Sequence, residues 1–122
     1  MILWYGLNLQ PISIQEADAL LRDGEARHVA KTMIVTKDLH IQVSTIFLVL
    51  DHGWHEGGPP ILWETMVFGG PLDADQDRYS SLEDAKVGHE HMVTLVLTAL
   101  DLEGSSDEYV VTTFSGAASN PP

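Results

Sequence analysis

The chain has 122 residues, 44% of them hydrophobic, no cysteine, and a formal charge of −12 from 18 acids against 6 Lys and Arg. That length fits one domain able to bury a core without staples, and the lack of cysteine excludes disulfides and thiolate chemistry. The charge speaks against direct nucleic-acid binding, which draws its affinity from cationic contacts with phosphate. Its plain role is solubility, with docking to a basic partner as the sharper alternative.

The first segment, "MILWYGLNL", reads as a short strand weakened by Gly6 and stopped before Pro11. It has neither a basic start nor a small-residue cleavage site, so a signal peptide is not expected. Ser13 followed by Glu16 is a capping-box pattern, and Ile14, Ala17, Leu20 and Leu21 recur at helical spacing. A helix is predicted over 14–23, ended by Gly24. "HVAKTMIVT" alternates as a strand with one face partly solvated, and "KDLH" turns the chain. "IQVSTIFLVL" is the strongest strand. Its apolar run from Ile46 to Leu50 predicts a central position with both faces covered.

Gly53, Gly57, Gly58, Pro59 and Pro60 then reverse the chain into "ILWETMVF", a further strand stopped by Gly69-Gly70-Pro71. "LDADQDRY" reads as an acidic linker. Ser80 or Ser81 caps a second helix, with Glu83 and Asp84 in its positive first turn. Ala85, His89, Met92, Val93, Val96 and Leu100 form one apolar stripe, and Gly88 on that helix suggests close packing. Gly104 is the expected stop. "EYVVTTF" reads as a last, edge strand. The whole predicts an α+β domain over residues 1–114 and a disordered tail over 115–122. Its core is an antiparallel sheet of three to five strands with two helices on one face. Two helices cover only about one sheet face. The other face must be met by the terminal strands or by a second copy, which favours a homodimer. No apolar run approaches the ~20 residues a membrane helix needs.

Four groups of residues bear on chemistry. His52 and His55 could converge on a metal with Asp51, Glu56 and a third ligand from His40, Glu64 or His89. Yet no matching ligand pair completes a four-ligand zinc site. The plainer reading is polar loop residues, with His89 a hydrogen-bonded core histidine. The Asp73-Ala74-Asp75-Gln76-Asp77 string echoes a calcium loop, but Arg78 stands where the sharp turn needs Gly, and Asp84 where a bidentate Glu is needed. No G-x-S-x-G elbow or Gly-rich phosphate loop is present. Lastly, Asp51, His52, Trp54, Glu64, Arg78 and Tyr79 are the candidate ligand-binding residues: an Arg beside a Tyr, close to the turn between the strongest strands, suits an anion or aromatic ligand. The plainer reading makes Tyr79 a staple on the helix entry and pairs Arg78 with nearby acids.

The block Thr45–Val93 carries "LDH", a Gly/Pro-rich turn, "ETMVFGGPLD", "RYS" and a helical "GH" in that order. It resembles small uncharacterised proteins of bacteriophages and prophages of actinobacterial type, over about 40% of the chain. The resemblance implies a phage accessory protein in the bacterial cytoplasm and carries no activity. The expectation is a non-enzymatic module, without cofactor, that binds a host protein or a small nucleotide-like ligand. A virion structural or assembly component and a metal-dependent hydrolase on Asp51, His52 and His55 are the alternatives.

Overall fold

The β-branched and aromatic runs between residues 28 and 68 build the centre of the molecule. A computed structural model describes residues 3–53, 58–101 and 108–121. The chain opens with a two-stranded antiparallel ladder, β1 (Trp4–Tyr5) and β2 (Pro11–Ile12). Helix α1 (Ile14–Arg22) follows, and its capping box is complete: Ser13 Oγ accepts from the Glu16 N–H, and the Glu16 carboxylate accepts from the Ser13 N–H. Gly24 does not end the helix. Asp23 does, and its carboxylate then caps a second short helix, α2 (Gly24–Arg27), by accepting from the Ala26 N–H. The Asp23 cap satisfies one of the orphan amides at the start of α2, so the chain turns directly from one helix into the next.

Strands β3 (His28–Thr36), β4 (His40–Phe47) and β5 (Trp63–Phe68) form the expected meander. With β6 (Gln76–Tyr79) and β7 (Tyr109–Ser115) they make one antiparallel sheet of order β6-β5-β4-β3-β7. The fold is α+β, as its sequence predicts, and β7 lies at an edge. The segment read as an acidic linker is a tight turn followed by β6. Gly69 and Gly70 take positive φ, and the Asp73 carboxylate accepts from the Gly69 N–H at 2.7 Å. Asp73 thus closes a turn. An edge strand needs only one ladder and keeps its charges in water, so a polar, Asp-bearing β6 suits its place. The apolar run after β4 is not continuous strand. Leu48 and Val49 are buried, but Val49 has φ 70° and the chain bends there towards Tyr5.

Helix α3 (Leu82–Ala99) starts at Ser81, whose hydroxyl accepts from the Asp84 N–H. It ends before Gly104, which lies outside the described residues. Its buried stripe Ala85, His89, Met92 and Val96 lies across β4, β5 and β6. Around Met92 and Val96 pack Ile34, Ile41, Val43 and Val67; around Ala85 pack Phe47, Leu62 and Trp63. Phe47 and Trp63 are cross-strand partners with ring centroids 5.6 Å apart. Each fully buried large apolar side chain here contributes roughly 1.5–3 kcal/mol. A Cβ on Gly88 would overlap the Tyr79 ring, so the close packing expected at that glycine is real. The tail read as disordered instead holds a 3-10 turn, Ala117–Ser119. Ala118 is 2% exposed, and the Gly116 N–H donates to the Val29 carbonyl at 2.9 Å. Ala118 packs against β3 and α2, and the Ser119 hydroxyl and N–H both donate to the Gly116 carbonyl, a set of contacts that does not show in composition.

Candidate ligand cleft

Pleating divides the sheet into two faces. On the α3 side, three central strands carry threonine among aliphatic residues: Thr32, Thr45 and Thr65, each fully buried. Threonine keeps the β-branched shape a strand favours and adds a hydroxyl. Thr45 and Thr65 are direct cross-strand partners, as are Thr32 and Thr113 on the edge strand. The helix lowers His89, 3% exposed, between them.

Every polar atom of this belt is matched. His89 Nδ1 lies 2.7 Å from Thr45 Oγ1 and Nε2 lies 2.7 Å from Thr32 Oγ1. Thr45 and Thr65 hydroxyls are 2.5 Å apart, and Thr32 and Thr113 hydroxyls 2.8 Å. The Tyr79 hydroxyl donates to Thr65 at 3.1 Å. With Tyr79 as donor, one direction uses each intervening hydroxyl once as donor and once as acceptor. Thr65 donates to Thr45, Thr45 donates to Nδ1, Nε2–H donates to Thr32, and Thr32 donates to Thr113. The tautomer is therefore Nε2–H, and the Thr113 proton is left over at the open end. Burial, with His28 adding to it, lowers the His89 pKa to about 4, so the ring is neutral at ordinary pH. Burial likewise raises the Tyr79 pKa, which keeps the phenol protonated as the first donor.

That open end is a cleft of about 670 Å³ between α3 and the β3–β7 edge. Its floor is Thr32, His89 and Thr113; Lys86 and Glu90 stand on the helix wall; Ser119 and Asn120 close the other side. The size lies within the range of small-molecule pockets. A hollow of about 550 Å³ at the far end of the same strand pair, by Val35, Lys37 and Tyr109, has no buried side chain in its lining.

The residues singled out from sequence are distributed over several places. Asp51 Oδ1 accepts from the Gly53 and Ile61 N–H groups at 2.7 and 2.8 Å, and the His52 N–H donates to the Ile61 carbonyl. Both organise the turn after β4. Glu64 and Arg78 are cross-strand partners joined at 2.9 Å, on the sheet face away from α3. Tyr79, next in the chain, turns to the α3 side and joins the threonine belt. Trp54 and His55 lie outside the described residues. His89 takes its plainer role, a core histidine with partners. Among the described residues no group of three or more His, Asp or Glu could hold a metal ion. Thr32, Thr45, Thr65 and Thr113 were invisible as a group, because threonine is an ordinary strand residue and only the register aligns them. No protein-family model, no curated protein and no solved structure matches the chain.

Proposed function

We propose that this protein is a non-enzymatic binding module whose cleft between α3 and β7 takes a small, uncharged, nucleoside-like ligand. The observation that carries the reading is the cleft floor: a fully hydrogen-bonded histidine–threonine belt that ends in a hydroxyl donor at Thr113. A buried polar belt is costly unless satisfied, and this one leaves one donor facing the cavity. Ser119 and Asn120 add further hydrogen-bonding groups, and Val29 and Val93 supply apolar walls. That mixture suits a base edge and a sugar. Lys86 stands with Glu90, and the chain carries −12, so a polyphosphate is disfavoured.

Both nitrogens of His89 are engaged and its pKa lies near 4, so the histidine is not offered to the cleft as a base at pH 7. The small-ligand form of the reading is favoured over a host-protein partner because the built feature is a cavity. In this proposal the module acts in the cytoplasm of a bacterial host, as a phage or prophage accessory protein and as a homo-oligomer. Calorimetric titration with adenosine, guanosine, cytidine, uridine and ATP tests the ligand class. Saturable binding of at least one nucleoside, weakened by Thr113→Val, supports it. No heat with any nucleoside, or tight binding of ATP alone, overturns it.

A further inference from the structure

We propose that the sheet face turned away from α3 is the contact between two copies of this chain. Strand register places Met33, Val35, Ile46, Met66, Phe68 and Phe114 on that face. Phe68 and Phe114 are 48% and 57% exposed. Among the described residues α3 lies on the other side, and α2 reaches only the edge of this face, where Glu25 lines a hollow with Lys31 and Phe114. Nor do the described residues near the two ends of the chain cross it. Strand β7 is spent on the sheet edge, β1 and β2 pair with each other, and β1 also pairs with Val49 and Leu50 beyond β4. An apolar surface of this kind, rich in Met and Phe, has the composition of an interface core.

Charge selects the occupant. Within the strands this face carries Lys31 and Arg78 against Glu64, whose carboxylate is held by Arg78 at 2.9 Å, and Glu25 of α2 lines a hollow with Lys31 and Phe114 at its edge, so the face is near neutral. The chain as a whole carries −12. Two copies therefore repel least when these near-neutral faces meet, while a basic partner would find as many cations as acids here. A single face that meets itself makes an isologous contact, which closes at two copies. Five strands at about 4.8 Å spacing, each some six residues long, give a footprint of roughly 24 by 20 Å. Counted over both copies that is roughly 960 Å², below the ~1,200 Å² at which stable interfaces begin, so the dimer is expected to be weak and to exchange with monomer in the micromolar range. The inference rests on the homo-oligomeric part of the proposed function and not on the ligand, because the cleft opens on the opposite side of the sheet.

Sedimentation equilibrium of the full chain across the micromolar range is the test. The mass is expected to rise from 13.4 kDa to a plateau at twice that value. Phe68→Glu and Phe114→Glu should each weaken association roughly tenfold or more, because a carboxylate would be desolvated at the contact. Both side chains are exposed in the single chain, so the fold should survive, as circular dichroism would verify. If a Glu variant fails to fold, Phe68→Ser and Phe114→Ser carry the same test. Lys86→Glu, in the cleft, should leave the mass curve unchanged. A wild-type mass fixed at 13.4 kDa overturns the dimer altogether. A wild-type dimer untouched by the Phe68 and Phe114 variants overturns this surface while leaving the oligomer standing. Growth beyond two copies overturns the closed contact and favours a virion assembly role.

Discussion

Acidification should cost this protein stability through one side chain, His89. An unfolded histidine takes up a proton near pH 6.5, whereas folded His89 does so near pH 4. Between those values the unfolded chain binds more protons than the folded one, so stability is lost as pH falls from about 6.5 towards 4. From pH 7 to pH 5 the loss works out at about 2 kcal/mol, and it reaches about 3 kcal/mol by pH 4. His89→Gln removes the titrating ring and keeps an amide donor and acceptor between Thr45 and Thr32. It should be less stable at pH 7, by roughly 1–3 kcal/mol for imperfect geometry in a buried network. Its pH dependence should be flatter than wild type by about 2 kcal/mol between pH 7 and 5. His28, whose pKa burial also lowers, is present in both proteins, and only its repulsion with His89 differs between them. Urea unfolding followed by circular dichroism at pH 7, 6 and 5 provides the values. Parallel pH slopes for the two proteins would refute the reasoning, since they would mean that His89 is not held neutral by its surroundings.

Three further outcomes follow from the same contacts. Nitrogen-15 shifts of the His89 ring should show protonated Nε2 and unprotonated Nδ1 at pH 7; the reverse tautomer would contradict the donor chain running from Tyr79 to Thr113. Gly88→Ala should destabilise by about 1–3 kcal/mol through overlap with the Tyr79 ring, despite a helix-propensity gain of about 1 kcal/mol. Gly88→Ala in a Tyr79→Ala background should be neutral or stabilising, and thermal melts of the four proteins read the coupling. Ser13→Ala should lower stability by about 0.5–2 kcal/mol through loss of the α1 capping box, measured by urea unfolding.

Much of the framework was legible because its signals are local. The capping box at Ser13, the strand runs from His28 to Phe68 and the stripe on α3 each depend on residues within a few positions of one another. The signals that failed depend on partners distant in sequence. Gln76–Tyr79 looks like a linker until β5 is beside it, since an edge strand needs no apolar alternation. Ala118 is held by contacts with β3 and α2 that lie far back in the chain. The candidate site divides in the same way. His89 stood out on its apolar stripe, and Tyr79 as an aromatic near a helix start. Their connection runs through Thr65 and Thr45 on two strands, with Thr32 on the far side of the ring, and register alone brings these threonines together. Arg78 and Tyr79 looked like one cluster because they are adjacent. In a strand, adjacency puts side chains on opposite faces, and so Arg78 meets Glu64 while Tyr79 meets the helix.

The cleft over His89 is the centre of the functional account, and amide shift mapping during a nucleoside titration tests its place directly. With nitrogen-15-labelled protein and the nucleoside that gives the largest calorimetric response, saturable shifts are expected at Thr32, His89, Thr113 and Asn120, with the amides of Gly53 and Ile61 still. Shifts confined to the Asp51–Ile61 turn, or none at all at saturating nucleoside, would contradict the cleft as the binding site.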